Sequence, residues 1–179
     1  NGVVILELTN KDGSDLPAFE AGAHIDVHIT SDLIRQYSLC NAPRRSKSYR
    51  IGVLNDPNSR GGSVKVFEQF TLNKTCQISA PRNHFPLIDG AKRTILAGGG
   101  IGITPMIAMA YQLKATGQDF ELHYCSRSVG AGAFEEELCQ QFPEQIVFHY
   151  DDGDAEQLFK PQVTFAPCDN NTHIYVCGP

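Results

Sequence analysis

The chain has 179 residues, of which 41% are hydrophobic and 20% are charged, a composition typical of a globular protein that folds in water. Its formal net charge of −5 argues against nucleic acid and anionic membrane surfaces as partners. No apolar run approaches the roughly 20 residues of a membrane-spanning helix. The six cysteines form no C-x-x-C pair, so we expect a cytoplasmic protein without a metal site in this chain.

The first half of the chain, residues 1–90, has the pattern of short antiparallel strands. Apolar and polar residues alternate over 24–29 and again over 49–54, and this period of two is typical of half-buried strands. Turn residues separate such runs. One helix is predicted over 64–70, after Gly61-Gly62-Ser63. Together these features predict a small antiparallel β-barrel domain.

The second half, residues 91–179, alternates between strands and helices. Strands are predicted over 94–97, 120–125, 146–150 and 173–177, and helices over 105–115 and 134–142. Gly117 should end the first helix, and Glu135-Glu136-Glu137 should be a solvated start of the second. This order is typical of an α/β doubly wound parallel sheet, joined to the first half near 86–90. The chain starts without methionine and stops directly after a strand, so we expect it to be part of a longer protein.

The most informative stretch is LAGGGIGITP at 96–105, a glycine-rich turn between a predicted strand and a predicted helix. The free N–H groups and the dipole of a helix N-terminus favour a bound phosphate, and glycine lets a ligand approach the backbone. Thr104 is predicted as the N-cap and Pro105 as the first helical residue. Counted from Gly100, the spacing departs from the usual dinucleotide fingerprint, because Pro105 replaces its third glycine.

Two features of the first half suit a second phosphate. Arg35 and Tyr37 should share one face of a strand and Ser38 should lie on the other, which brings a guanidinium, an aromatic ring and a hydroxyl close together. Gly61-Gly62-Ser63 places another glycine turn at a helix start. Taken alone, each feature also fits a bland alternative, an ordinary edge strand or a serine-capped loop.

Five motifs in order resemble the ferredoxin–NADP reductase superfamily. They are R-x-Y-S at 35–38, G-G-S at 61–63, G-G-G-I-G-I-T-P at 98–105, Y-C-S-R at 124–127 and C-G-P at 177–179. Longer strings are similar to the phthalate dioxygenase reductase family and, within it, to the vanillate O-demethylase reductases: RQYSLCN at 35–41, IGVLNDP at 51–57, SRGGS at 59–63 and SAPRN at 79–83. The resemblance covers essentially the whole chain.

The resemblance implies an FMN-binding barrel, a pyridine-nucleotide domain and a C-terminal [2Fe-2S] ferredoxin domain beyond residue 179. Electrons would pass from NADH to FMN as a hydride, and then singly through the cluster to a Rieske-type oxygenase component. Members of the family serve vanillate, other aromatic acids and small quaternary amines.

The resemblance also implies the flavin contacts. Arg35 would pair with the FMN phosphate, Tyr37 would lie against the isoalloxazine, and Ser38 would lie near its reactive N5 edge. The remaining implied flavin contacts are Leu39, Val53, Gly61, Gly62 and Ser63. The resemblance assigns only Ser38 and Cys177 to catalysis. The number is small because the flavin itself supplies the redox chemistry and the protein supplies orientation.

In the second half, residues 98–104 would hold the pyrophosphate of the nucleotide. Cys177 would position C4 of the nicotinamide near flavin N5 without acting as a nucleophile. The full set implied for the nucleotide is Gly98, Gly99, Gly100, Gly102, Thr104, Pro105, Cys125, Arg127, Cys177, Gly178 and Pro179.

Several alternatives stay open at this point. Arg127 follows the second strand of the nucleotide domain, where NAD-specific folds often carry an acid and an arginine could accept the 2′-phosphate of NADPH; the resemblance favours NADH. No residue excludes FAD, so an FAD-dependent NAD(P)H reductase of the wider superfamily is the alternative enzyme. Outside the enzymes, the alternative is a non-catalytic flavoprotein scaffold that binds a partner.

Overall fold

The computed structural model describes residues 2–44, 46–56 and 61–179, and the chain divides into two compact units, residues 2–86 and 87–179. Pro57, Ser59 and Arg60, which belong to two of the strings quoted above, lie outside the described residues. In the part of the chain that the structure describes, no helix has the length and apolar character needed to cross a membrane.

The first unit is built from short antiparallel strands and one helix. Its elements are β1 (Val3–Thr9), β2 (Ala23–Thr30), β3 (Leu33–Ser38), β4 (Ser48–Leu54), α1 (Gly62–Gln69), β5 (Gln77–Ile78) and β6 (Arg82–Asn83). β1 pairs with β4, while β2 lies between β3 and β5 and also pairs with β6. An isolated antiparallel bridge between Leu39 and Ile51 links the chain after β3 to β4.

The apolar and polar residues that alternate in the sequence of the first unit also alternate in burial in the structure. Buried and half-buried residues alternate along the whole of β2, and the apolar members enter one core with residues of β4 and α1. That core contains Ile25, Val27, Ile29, Leu39, Tyr49, Ile51, Val53 and Val66, among others. The predicted antiparallel barrel domain is therefore confirmed, and α1 begins at Gly62, two residues before the predicted start.

The second unit is a parallel sheet with the strand order β10-β7-β8-β9. Its elements are β7 (Arg93–Gly99), a 3₁₀ turn (Gly100–Gly102), α2 (Ile103–Thr116), β8 (Asp119–Ser126), α3 (Glu135–Gln141), β9 (Ile146–Tyr150), α4 (Pro161–Phe165) and β10 (Thr172–Cys177). The strands run outward from β7 through β8 to β9, and β10 then returns to the other side of β7. This reversal of direction is the doubly wound topology that the sequence predicted.

The start of α2 differs from the prediction. The helix begins at Ile103, and its N-cap is Gly102 without a side-chain cap, so the prediction of Thr104 as N-cap and Pro105 as first helical residue is wrong. The physical reason is the 3₁₀ turn, which sets helical geometry before Thr104; the Thr104 hydroxyl instead donates to the carbonyl of Ile101 at 3.0 Å. Pro105 is still tolerated, because N–H groups of the first turn have no acceptor within the helix.

The end of α2 and the short helix α4 show what a local sequence pattern can and cannot predict. Gly117 ends α2 in the left-handed conformation, with φ of 67°, as predicted. The short helix α4 falls in the segment between β9 and β10 for which the sequence predicted no element.

Candidate functional site

β3 positions the arginine, the tyrosine and the serine of the R-x-Y-S motif. Arg35 pairs with Val27 of β2 and Tyr37 pairs with Ile25, so both lie on the face that turns toward the core. Ser38 lies on the opposite face. Tyr37 is half-buried, and this burial raises the pKa of its phenol, an effect that the nearby Arg35 opposes.

Arg35 lies against the beginning of α1. A Cβ placed on Gly62 would be 2.7 Å from Nε and 3.0 Å from Cγ of Arg35, so a larger residue there would force the arginine side chain to shift. Gly61 precedes the helix with φ of +81°, and a Cβ there would have no atom within 4 Å. A guanidinium therefore lies beside an accessible helix N-terminus, and the two together provide the charge and the donors that a phosphate group requires.

Ser63 has a local role in the structure. Its hydroxyl accepts the N–H of Asp56 at 3.2 Å and lies 3.3 Å from the carbonyl oxygen of Asp56, to which it can donate. Ser63 is the second residue of α1, so its backbone N–H belongs to the first turn, whose N–H groups have no acceptor within the helix. The alternative of a serine-capped loop is excluded, because the residue before α1 is Gly61.

The side chains of Leu39 and Val53 lie in the core of the barrel unit. Their exposed fractions are 0% and 1%, so these side chains present no surface to a ligand. A flavin contact at either position has to use the backbone.

The sequence did not single out His24 as a site residue. His24 lies directly opposite Ser38 in the β2–β3 pairing and on the same face. Its ring meets the edge of His84, at 5.2 Å between centroids, and its Nε2 is buried without a hydrogen-bond partner among the described residues. Burial, followed by the charges of His84 and Arg82, lowers the pKa of His24 and favours the neutral imidazole. Only the strand register, which the sequence did not provide, brings His24 beside Ser38.

The glycine-rich turn of the second unit lies at the carboxyl edge of the parallel sheet. Gly98 pairs with Cys177 of β10 on one side, and Gly99 pairs with Cys125 of β8 on the other. β8 lies on one side of β7 and β10 on the other, so the strand order reverses at β7 and the turn lies at the switch point of the sheet. Open α/β sheets bind their ligands at this position.

The glycines of this turn have two different physical roles. A Cβ on Gly102 would collide with the carbonyl group of Cys177, at 2.6 Å from its carbon, and a Cβ on Gly98 would be 2.7 Å from Cα of Ile103. Gly99 and Gly100 differ, because a Cβ on Gly99 would make only ordinary contacts, with Pro179 at 3.6 Å and Gly178 at 3.8 Å, and a Cβ on Gly100 would meet no atom within 4 Å. Backbone packing therefore requires glycine at 98 and 102, whereas the positions of Gly99 and Gly100 leave room for a ligand.

The C-G-P motif packs on this turn. Gly178 has φ of +132°, and a Cβ there would be 2.7 Å from the carbonyl oxygen of Gly99, so the position requires glycine. Cys177 is half-buried, and burial raises the pKa of its thiol. Burial, together with Asp151, raises the pKa of Cys125 to about 11. Both thiols are therefore protonated at neutral pH, a state that is poorly nucleophilic.

Arg127 and Glu135 lie around the loop that follows β8. Arg127 is exposed at the end of that strand. Glu135 does not behave as the solvated helix start that was expected, since its carboxylate accepts the N–H groups of Gly130 at 2.9 Å and Gly132 at 3.0 Å. Glu136 is exposed and follows the expectation.

A row of titratable side chains runs across β7, β8 and β9 of this sheet. Nδ1 of His123 lies 3.0 Å from Nε2 of His149, and Nε2 of His123 lies 3.2 Å from the carboxylate of Glu121, which pairs with Arg93. His123 is buried. Burial is the largest effect on both imidazoles and lowers the pKa of each, while Glu121 opposes this for His123.

A strand-rich barrel unit followed by a doubly wound unit, each with a glycine-rich turn at a helix start, defines a protein of the ferredoxin reductase-like fold. The solved structure of phthalate dioxygenase reductase, described as modular for electron transfer from pyridine nucleotides to [2Fe-2S], matches with a TM-score of 0.93 and 39% identity, over 99% of this chain and 56% of that one. No protein-family model matches the chain.

Two curated relatives give the same assignment from sequence. The vanillate O-demethylase oxidoreductase of Pseudomonas sp. strain HR199 is 49% identical over 179 residues, which is 99% of this chain and 56% of the relative. The phthalate dioxygenase reductase of Burkholderia cepacia is 41% identical over 175 residues, 97% of this chain and 54% of the relative. The chain is similar to these reductases over nearly its whole length, and it spans about half the length of these relatives.

Proposed function

We propose that this chain is the flavin- and nucleotide-binding part of an NADH-dependent reductase that supplies electrons to a Rieske-type oxygenase. The observation that carries the proposal is the pair of phosphate-type sites, with Arg35 at the start of α1 in one unit and the open Gly99-Gly100 turn in the other. The relationship to a vanillate O-demethylase oxidoreductase favours vanillate or a related aromatic acid as the substrate of the oxygenase.

FMN is the flavin that the family resemblance implies for the barrel unit. Arg35 and the N–H groups at the start of α1 would hold its phosphate, because a guanidinium fork and helix donors both suit phosphate oxygens. Tyr37 would lie against the ring system, and Ser38 would place its hydroxyl at the ring edge. Bound FMN accepts a hydride and gives up its electrons one at a time.

The pyridine nucleotide would be held by the second unit. The N–H groups at the Gly99-Gly100 turn and the start of α2 would face the pyrophosphate. Cys177, beside Gly98 in the sheet, would orient the nicotinamide ring. Its protonated thiol, with a pKa raised by burial, supports a role in positioning rather than in covalent chemistry.

Three further parts of the proposal rest on the family relationship. Electrons would leave through a [2Fe-2S] ferredoxin domain beyond residue 179, and the partner would be the oxygenase component. A cytoplasmic location fits both the supply of NADH and the six cysteines, none of which is in a disulfide. NADH rather than NADPH is the expected donor.

The proposal is tested by identifying the flavin and its reductant. Acid release from the purified protein should yield FMN, and anaerobic addition of NADH should abolish the flavin absorbance. Release of FAD would instead favour an NAD(P)H reductase of the wider superfamily. Flavin that NADH does not reduce would leave a flavin-binding scaffold and overturn the enzymatic proposal.

A further inference from the structure

The loop between β8 and α3 is folded around the carboxylate of Glu135. Oε2 accepts the N–H of Gly130 at 2.9 Å, Oε1 accepts the N–H of Gly132 at 3.0 Å, and the hydroxyl of Ser126 lies 3.4 Å from Oε1. A Cβ on Gly132 would be 2.6 Å from Oε1 and 2.7 Å from Cε1 of Tyr124, so a larger residue there would displace these side chains. Two backbone donors and a hydroxyl thus surround an anion that the chain itself provides.

This loop occupies a position with a known physical role in doubly wound folds. It follows β8, the second strand of this unit in chain order. Doubly wound folds contact the ribose of the adenosine half at this place, where an acid selects the 2′-hydroxyl of NAD and an arginine accommodates the 2′-phosphate of NADP. In this chain the strand itself ends in Ser126-Arg127 without an acid. Glu135, which is nine residues beyond Ser126 in the chain, brings the acid to that strand end through space.

The neighbouring loop adds to the negative charge. The N–H of Asp151 donates to the carbonyl of Ser126 at 3.1 Å, and the N–H of Asp152 donates to the carbonyl of Arg127 at 3.0 Å. These bonds hold two exposed carboxylate side chains, those of Asp151 and Asp152, next to the strand end. The two loops at this strand end thus carry three carboxylates, those of Glu135, Asp151 and Asp152, and one guanidinium, that of Arg127.

We propose that Glu135 is a specificity-determining residue of the nucleotide site, which selects NADH against NADPH. Its carboxylate already takes the loop donors that a 2′-phosphate would need, and like charges repel. The 2′-hydroxyl of NADH carries no charge and is not rejected. The inference rests on the proposed function, because it deepens the assignment of the pyridine-nucleotide site.

The test compares Glu135→Gln with the wild-type reductase, using Glu136→Gln as the matched control. Glu136 is adjacent and exposed, and its carboxylate is bonded to the side chain of Gln140 on the helix surface. For each protein, kcat/KM is measured with NADH and with NADPH. We expect the NADPH to NADH ratio to rise about tenfold or more in Glu135→Gln and to stay within about twofold of wild type in Glu136→Gln, a tenfold ratio being about 1.4 kcal/mol.

A binding measurement separates this inference from the proposed function. Dissociation constants for 2′,5′-ADP and 5′-ADP are measured with the same three proteins by calorimetry, which needs no turnover. Glu135→Gln should tighten binding of 2′,5′-ADP and leave 5′-ADP unchanged. If neither nucleotide reduces the flavin, the proposed function fails, while the two binding constants still decide the role of Glu135.

Two results would overturn the inference. One is a Glu135→Gln protein whose NADPH to NADH ratio of kcat/KM and whose affinity for 2′,5′-ADP equal those of the wild type. Thermal unfolding must show that this variant is folded. The other is a wild-type preference for NADPH, which would assign Arg127 to the 2′-phosphate.

Discussion

Replacing Gly102 with alanine should destabilise the unit 87–179, because the new Cβ would collide with backbone and not with a flexible side chain. It would lie 2.6 Å from the carbonyl carbon of Cys177 and 2.7 Å from the nitrogen of Gly178. Relieving such overpacking costs about 1–3 kcal/mol. Alanine is otherwise acceptable there, since φ is −63°, and the loss of unfolded-state entropy returns about 0.4–1 kcal/mol. The expected net loss is about 1–2 kcal/mol of unfolding free energy.

Urea and thermal unfolding followed by circular dichroism measure this loss, and Gly99→Ala is the matched control. A Cβ on Gly99 makes only an ordinary contact, at 3.6 Å from Pro179, and φ there is −99°. Gly102→Ala should lower Tm by about 5–10 °C, while Gly99→Ala should change it little. A Gly102→Ala protein as stable as wild type, or an equal loss in both variants, would refute the packing argument.

The site assignments and the titrating histidines give further predictions. Arg35→Ala should weaken flavin binding about 10- to 100-fold, since a charge-assisted contact contributes about 1.5–3 kcal/mol; a fluorescence titration measures this, and equal weakening in Arg82→Ala, whose arginine pairs with Asp26 on the sheet surface, would refute the assignment. Cys177→Ala should slow flavin reduction by NADH without loss of flavin, and an unaltered rate would return Cys177 to a packing role. Burial lowers the pKa of His123 and His149, so below about pH 6.5 the unfolded chain binds protons that the folded chain does not. Stability should therefore be constant above about pH 7 and fall toward pH 5.5, by up to about 1.4 kcal/mol per pH unit for each proton; a flat urea-unfolding profile over this range would contradict it.

The elements that the sequence predicted are those with a strong local signal. The alternation along β2 and β4 survives folding, because each of these strands sends its apolar residues into one core. Gly117 also behaves as predicted, since a left-handed residue at a helix end favours glycine whatever its surroundings. The prediction of Thr104 as N-cap is wrong because the position of a cap depends on the turn before it. Here the 3₁₀ turn moves the start of α2 upstream.

The features that the sequence did not reveal depend on contacts between distant parts of the chain. The requirement for glycine at 102 comes from the end of β10 and the residue after it. The neighbourhood of His24 and Ser38 comes from the register of β2 and β3. Glu135 was read as solvated because its triplet is typical of a helix start, whereas the loop before it turns back to bind its carboxylate. Composition and spacing carry no information on such pairings.

Anaerobic stopped-flow at the flavin absorbance band, with the full-length protein and with NADH and NADPH in separate experiments, tests directly whether the protein is an NADH-dependent flavin reductase. NADH should bleach the flavin rapidly and NADPH much more slowly, and iron–sulfur absorbance should be lost later as electrons move on. A flavin band that neither nucleotide bleaches, or a protein that carries no flavin, would contradict it.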